Sequence, residues 1–141
     1  MVGRLQNKVA LITGTGGGQG RAAALRFAQE GAIVVGCDFN GPAHEETAAL
    51  MQEQGFRLYG MAPLDLGDHE QAKAWIDAAV AEHGRIDILY NNASAARFGA
   101  VNEMSIDDWH YTIRNELDLL FYTTKYAWHH LAEQRGVIIN I

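Results

Sequence analysis

The sequence is poor in cysteine, and long apolar stretches are missing from it. Cys37 is the single cysteine, so no disulfide can form within the chain, as is usual for intracellular proteins. No apolar stretch approaches the roughly 20 residues of a membrane-spanning helix. The first residues have no apolar core before their first charges and do not resemble a secretory signal peptide. We therefore expect a cytoplasmic protein without a membrane partner.

The sequence also has fewer basic than acidic residues. Lysine and arginine total 11 against 17 acidic residues, which gives a formal net charge of −6, and the basic residues form no cluster. Nucleic acids and anionic membranes bind surfaces with concentrated positive charge. The histidines are scattered, and the adjacent pair His129 and His130 points to different helix faces. The sequence thus predicts neither a nucleic-acid partner nor a metal site.

What the sequence does contain is a regular alternation of apolar runs and amphipathic segments. This alternation is typical of β-α-β units, and neither a linker nor a repeat divides it. We predict one α/β domain over residues 1–141, a doubly wound, Rossmann-like parallel sheet with strand order 3-2-1-4-5 and a ligand crevice between strands 1 and 4. The predicted strands are 9–13, 32–38, 57–61, 86–91 and 137–141, and the predicted helices are 20–30, 42–54, 68–84 and a long region from 105 to 134, in one or two pieces.

Two of these helices begin with sequences typical of capping boxes. Asp68 and Gln71 have the required spacing, and so do Ser105 and Asp108. The helix after Asp68 carries its apolar residues on one face. These residues are Ala72, Trp75, Ile76, Ala79 and Val80.

The last predicted strand stands where the sequence stops. Domains normally end in exposed polar segments, whereas an apolar strand at the end leaves an open sheet edge and an uncovered face. We therefore expect this chain to be the N-terminal portion of a longer protein, truncated after strand 5. The alternative is that another chain covers the edge.

A glycine-rich turn follows the first apolar run and leads into a predicted helix. Glycines let the backbone turn sharply and come close to a ligand, and a helix N-terminus offers unpaired N–H groups to a pyrophosphate. The spacing matches neither the common G-x-G-x-x-G fingerprint nor a P-loop. A purely structural loop is the alternative. The predicted dinucleotide-binding residues of the turn are Gly14, Gly16, Gly18, Gln19 and Gly20.

Asp38 ends the second predicted strand, where an acidic side chain can accept hydrogen bonds from the adenosine ribose. A carboxylate there would repel the 2′-phosphate of NADP, and neither Gly17 nor Phe39 supplies a cation to attract it. The sequence therefore favours NAD over NADP. The alternative is an ordinary solvated aspartate at a strand end.

The pattern T-G-x-x-x-G-x-G at 13–20, together with Asn91-Asn92-Ala93-Ser94 after the fourth strand, resembles the short-chain dehydrogenase/reductase family. The resemblance implies an NAD(P)-dependent oxidoreductase that moves a hydride between nicotinamide and an alcohol or carbonyl substrate. It also implies a homodimer or homotetramer in the full-length form.

The same resemblance assigns roles to further residues. It implies that Asp65 and Leu66 hold the adenine ring, although the residues alone also permit a turn at Asp65. It implies that Asn92, Ala93 and Ser94 pass near the nicotinamide-side ribose, with Ser94 standing where the family usually has glycine. It implies that Asn115 holds a water in a catalytic proton relay, whereas from the residues alone it is an exposed helical asparagine.

The family's catalytic residues are missing from this sequence. The family uses a serine and a Tyr-x-x-x-Lys pair, and no tyrosine here has a lysine four positions later. Residues 136–141 resemble the strand that leads to the catalytic serine. We therefore expect the chain alone to bind cofactor without turnover. Two alternatives stay open, namely a non-catalytic nucleotide-binding module or degraded relative, and a site for a different nucleotide or for S-adenosylmethionine.

Overall fold

The computed structural model of the chain describes residues 3–141, and a five-stranded parallel sheet lies at its centre. The strands are β1 (Val9–Thr13), β2 (Ile33–Cys37), β3 (Leu58–Met61), β4 (Ile88–Asn91) and β5 (Val137–Asn140). The helices are α1 (Gly18–Gln29), α2 (Gly41–Glu53), α3 (His69–His83), α4 (Ile106–Ile113) and α5 (Leu119–Gln134), with a π-helical turn (Arg114–Asp118) between the last two. The sheet order is β3-β2-β1-β4-β5, which confirms the predicted fold.

Both faces of the sheet are covered, which explains why its strands are almost continuously apolar. Every residue of β1 is buried between β2 and β4. On one face, Ala24 and Ala28 of α1 and Met51 of α2 pack against the sheet. On the other face, α3 and α5 pack against the sheet and against each other.

Trp75 fixes α3 on its face of the sheet. Its side chain is fully buried, and its indole Nε1–H donates to the carbonyl of Gly36 in β2 at 3.1 Å. The predicted apolar face of α3 is confirmed for Ala72, Trp75, Ile76 and Ala79, which are buried, while Val80 packs at its margin.

The predicted capping boxes form only in part. Asp68 Oδ1 accepts from the Glu70 N–H at 2.9 Å, so the cap itself is present. Gln71 does not reach back to the Asp68 N–H, because its Oε1 accepts from the Asp65 N–H at 3.0 Å and its Nε2 donates to the Asp68 carboxylate. The glutamine thereby ties the loop after β3 to α3.

The start of α4 departs from the capping box in a similar way. Ser105 Oγ accepts from the Asp108 N–H at 3.0 Å. The Asp108 carboxylate accepts from the Ser105 hydroxyl and from Arg97, with Arg97 Nη1 at 2.7 Å, rather than from the Ser105 N–H. The competing arginine is the physical reason for the difference.

The edge strand β5 carries exposed apolar side chains, as expected. Val137 in the strand is 54% exposed, and Ile141, the residue after the strand, is 65% exposed. On the α5 side, a groove of about 260 Å³ runs along the strand and is bordered by Trp128 and Ile138. None of the described helices is long and apolar enough to cross a membrane.

Asp87, just before β4, anchors the start of the central strand. It is 4% exposed, accepts from the Val9 N–H at 3.0 Å, and binds Arg85 and Lys8 at 2.6 and 3.2 Å. Burial alone would raise the pKa of Asp87, but the hydrogen bonds from Arg85, Val9 and Lys8 hold it below its usual value. The charged form is therefore the one that the fold stabilises.

Replacing Asp87→Asn is expected to lower the free energy of unfolding by about 1–3 kcal/mol at neutral pH, because Lys8 and Arg85 lose their charged acceptor. The pKa of Asp87 is lower in the folded chain than its ordinary 3.8, so its contribution is complete above that value and is lost as the pH falls through the folded-state pKa. Urea unfolding measured across this pH range should show the free energies of unfolding of the wild type and of Asp87→Asn converging as the solution becomes acidic.

The matched control is Asp77→Asn, which removes an exposed carboxylate paired with Lys73 on α3. Exposed ion pairs contribute little to stability, so this variant should unfold almost as the wild type does. Equal losses in the two variants would contradict the anchoring role of Asp87.

Candidate functional site

A cleft of about 410 Å³ opens where the carboxyl ends of β1 and β4 diverge. This is the crevice at the reversal of strand order that the sequence predicts. Eight predicted site residues line it, namely Gly14, Asp38, Asp65, Leu66, Asn92, Ala93, Ser94 and Asn115. The other predicted residues, Gly16, Gly18, Gln19 and Gly20, form the turn beside the cleft and the start of α1.

Thr13 and Asn92 join the two strands at the floor of the cleft. Thr13 Oγ1 accepts from the N–H groups of Asn92 and Ala93, each at 2.9 Å. In return, Asn92 Nδ2 donates to the carbonyls of Thr13 and Gly14 at 3.1 and 3.3 Å. These bonds fix how far apart the strand ends lie.

Asn91 extends this support to the next strand and to α5. Its Nδ2 donates to Asn140 Oδ1 at 2.9 Å, and its Oδ1 accepts from the Thr123 hydroxyl at 2.8 Å. Asn91 therefore acts within the sheet, while Asn92 faces the cleft.

The glycine turn owes its shape to the three glycines of the motif. Gly14 and Gly18 have φ values of +74° and +51°, in the left-handed region that favours glycine. A Cβ on Gly20 would overlap the carbonyl oxygen of Gly14, so only glycine lets α1 come this close to the turn. Gly17 differs, since its φ of −176° is extended backbone and its surroundings are open.

The N-terminus of α1 is open to solvent. Within residues 3–141, no side chain caps it, whereas Asn40, Asp68 and Ser105 cap the starts of α2, α3 and α4. Gly18 and Gln19 are exposed there, and the predicted start of this helix at Gly20 is two residues too late. The first N–H groups of α1 are thus available to an anion.

Asp38 is held by two backbone donors at the rim of the cleft. Its Oδ2 accepts from the Gly16 N–H and its Oδ1 from the Asn40 N–H, both at 2.7 Å. Each oxygen keeps a second lone pair for a ligand hydroxyl. The neighbouring Phe39 is 75% exposed and carries no charge.

A buried polar layer under the glycine turn was not predicted from the sequence. Thr15 Oγ1 lies 2.8 Å from His44 Nδ1, and the Thr15 carbonyl accepts from the Thr47 hydroxyl at 2.7 Å. Arg21 donates to the carbonyl of Gly16 at 2.8 Å and pairs with Glu46. Burial lowers the pKa of the His44 imidazole, which favours its neutral form. The sequence offers only a weak signal for this layer.

Asp65 and Leu66 border the cleft at the end of β3. Asp65 Oδ1 accepts from the Gly67 N–H at 2.9 Å, as expected of a turn residue, and Oδ2 accepts from Arg114 Nη2 at 2.6 Å. Arg114 lines the cleft but was not among the predicted residues. The two partners are 49 positions apart, so no local pattern could have indicated the pair.

Asn115 lies in the π-helical turn between α4 and α5. Its Nδ2 donates to the Tyr111 carbonyl at 2.8 Å, and its own carbonyl accepts from the Ala95 N–H at 3.4 Å. Asparagine in a helix competes for the backbone carbonyls, and π turns are frequent at functional sites. Ser94 lies nearby with φ outside the positive region, so serine fits there without backbone strain.

Replacing Gly20→Ala is expected to lower the free energy of unfolding by about 1–3 kcal/mol, because the new Cβ pushes α1 away from Gly14. Gly17→Ala is the matched control and should change it by less than about 1 kcal/mol, since the site is open and extended. Chemical unfolding followed by circular dichroism measures both. Equal effects would contradict the close-approach role of Gly20.

Comparison with known proteins adds to this geometry. The family model described as short chain dehydrogenase matches residues 8–141. The chain is similar to meso-2,3-butanediol dehydrogenase of Serratia marcescens, with 38% identity over 138 residues, which cover 97% of this chain and 53% of that protein. The chain spans about half the length of the curated relatives it matches.

Solved structures share the fold. NAD+-bound xylitol dehydrogenase has a TM-score of 0.90 at 31% identity, over 97% of this chain and 53% of that chain. Carveol dehydrogenase from Mycobacterium avium, in complex with NAD, has a TM-score of 0.88 at 30% identity, over 96% of this chain and 54% of that chain. With the family match over nearly its whole length, the sheet order and the glycine turn, this chain belongs to the short chain dehydrogenase family.

Proposed function

We propose that this chain is the NAD-binding part of an oxidoreductase that transfers a hydride between nicotinamide and a small alcohol or carbonyl substrate. The family membership supports an NAD(P)-dependent oxidoreductase. One observation carries the rest of the proposal. Gly14 and the Asp38 carboxylate line one cleft, and the rest of the glycine turn, which leads to the open N-terminus of α1, lies directly beside it and is bonded to Asp38 through the Gly16 N–H.

The pyrophosphate of the dinucleotide would lie against the glycine turn and the start of α1. A Cβ at Gly17 or Gly18 would meet nothing within 4 Å, so a ligand can approach the backbone there. The unpaired N–H groups and the positive end of the helix dipole favour two phosphates. Gly14, Gly16, Gly18, Gln19 and Gly20 are the residues that we assign to this contact.

Asp38 supports NAD rather than NADP. Its carboxylate can accept from both ribose hydroxyls and would repel a 2′-phosphate. Arg21 is the cation that reaches the turn, but its donors are taken by Gly16, Thr47 and Glu46. The NAD bound in the carveol dehydrogenase structure and the NAD+ in the xylitol dehydrogenase structure agree with this preference.

The remaining lining residues are assigned to the two ends of the dinucleotide. Asp65 and Leu66 would receive the adenine, whose amino group can donate to the Asp65 carboxylate. Asn92, Ala93 and Ser94 would lie along the nicotinamide-side ribose. Bound NAD would supply the hydride acceptor.

Asn115 is assigned to proton transfer rather than to cofactor binding. Its side-chain amide donates to the Tyr111 carbonyl, and its backbone carbonyl accepts from the Ala95 N–H at the long distance of 3.4 Å. A backbone carbonyl has two lone pairs, and we assign one of those of Asn115 to a water of the proton relay.

Catalysis by the whole protein would need residues that this sequence does not supply. Since no Tyr-x-x-x-Lys pair occurs in it, we propose that the chain alone binds NAD without turnover. The same observation supports the second candidate function, a non-catalytic nucleotide-binding module. The short chain dehydrogenase match over residues 8–141 favours a dinucleotide over the S-adenosylmethionine alternative.

We further propose a cytoplasmic protein that assembles as a homodimer or homotetramer. Large aromatic side chains on α4 and α5 support subunit contacts. Trp109, Phe121 and Trp128 are 53%, 58% and 62% exposed. Such exposed aromatic groups are typical of protein interfaces.

Calorimetric titration with NADH and NADPH tests the cofactor assignment. The wild type should bind NADH more tightly than NADPH. Asp38→Asn should weaken the binding of NADH by about tenfold, because a charge-assisted hydrogen bond is lost. The affinity of this variant for NADPH should stay the same or increase. Asp107→Asn removes the same charge from the exposed first turn of α4 and is the control. Equal or tighter binding of NADPH by the wild type would overturn the NAD assignment, and binding of neither would overturn the proposed function.

Turnover by the chain is the second test. NADH absorbance should stay constant when the purified chain is mixed with a panel of small aldehydes and ketones, although NADH binds. Oxidation of NADH that depends on one of these substrates would contradict the proposal that the chain alone is inactive.

A further inference from the structure

The cleft contains an ion pair of which the proposed function uses one member, Asp65, and leaves the other, Arg114, without a role. Arg114 Nη2 lies 2.6 Å from Asp65 Oδ2, and both residues line the cleft. Their side chains are 42% and 28% exposed, so a ligand can reach the pair. Asp68 and Asp118 add negative potential around Arg114, but only Asp65 hydrogen-bonds to it.

The guanidinium also lies directly against the turn that carries Asp65. A Cβ added to Gly67 would overlap the guanidinium atoms of Arg114, so there is no space between them. The Gly67 N–H meanwhile donates to the other Asp65 oxygen. The carboxylate is thus held through both oxygens, and its plane is fixed.

Arg114 is the first residue of the π-helical turn. The turn places Arg114 and Asn115 in the same cleft, although the two are consecutive in sequence. In a regular α-helix neighbouring side chains diverge by about 100°. Arg114 and Asn115 nevertheless both line the cleft, so this turn of the chain borders both its Asp65 end and its Asn115 end.

We propose that Arg114 is a positioning residue that makes this end of the cleft select a base with an exocyclic amino group over one with an oxo group. The inference rests on the proposed function, in which the base of a dinucleotide lies at Asp65. An ionised carboxylate accepts hydrogen bonds and cannot donate. Held by Arg114 and Gly67, the Asp65 carboxylate keeps free lone pairs in a fixed direction, which an amino group can use and an oxo group cannot.

The effect of Arg114 should appear in selectivity and not in stability. A half-exposed ion pair contributes little to the free energy of unfolding, because solvent screens it. Fixing the direction of an acceptor lowers the cost of ordering it when a ligand binds. Without Arg114 the carboxylate rotates, and its discrimination between the two bases weakens.

The test compares NADH with reduced nicotinamide hypoxanthine dinucleotide, in which an oxo group replaces the adenine amino group and the hydrogen sits on the neighbouring ring nitrogen instead. Calorimetric titration of the wild-type chain should give about a tenfold preference for NADH. Arg114→Met keeps the aliphatic length of the side chain, and in this variant the preference should fall to about threefold or less. Arg114→Lys should lie between the two, since lysine restores the charge without the planar fork.

Arg97→Met is the matched control. It removes another half-exposed arginine, paired with Asp108 at 2.7 Å and absent from the cleft lining, so the base preference should stay at its wild-type value. In an Asp65→Ala background the preference should already be small, and adding Arg114→Met should change it no further. This double-mutant cycle separates action through Asp65 from a direct contact.

The outcomes separate the two proposals. The role of Arg114 would be overturned if Arg114→Met kept the wild-type base preference, including the case in which it lost affinity equally for both dinucleotides. NADH binding by the wild type would still support the proposed function in that case. Absence of NADH binding by the wild type would overturn the proposed function and the inference with it.

Discussion

The geometry of the cleft depends on the hydrogen bonds that the Thr13 hydroxyl accepts. This hydroxyl accepts two backbone N–H groups from the loop after β4, and Asn92 returns two bonds to the end of β1. In a doubly wound sheet the chain leaves these two strand ends in opposite directions, so a gap opens between them. The Thr13–Asn92 contacts keep this gap at one width, and the glycine turn, Asp38 and Ser94 are all positioned relative to it.

The fold could be predicted from the sequence because its strands are buried on both faces. A strand of this kind shows as an apolar run, and the glycine turn and helix ends separate the runs clearly. The boundaries were less accurate. The start of α1 was misplaced because Gly17 caps it without a side chain, and the capping residue at Asp68 was correct while its partner Gln71 was not.

The sequence predicts those residues of the candidate site that belong to short motifs after a strand. It does not predict those that depend on a contact between residues far apart in the sequence. Gly14, Asp38 and Asn92 each follow a strand, so their convergence at one edge follows from topology. Arg114 and Asp65 are 49 positions apart, and the π-helical turn that begins at Arg114 has no reliable sequence signal beyond a helical asparagine. The polar layer around His44 is equally hidden, since burial of a polar helix face is decided by packing.

The anchoring of β1 by Asp87 has a consequence for synthesis. Val9 and Asp87 are 78 residues apart, so the central strand has no partner on its β4 side until the ribosome has made more than half of the chain. At roughly 5–20 residues per second, that interval lasts about 4–16 seconds, far longer than the microseconds in which a chain collapses. Once β2 has been made, β1 can pair with it, but the edge of β1 that faces β4 in the finished sheet has no partner during this time.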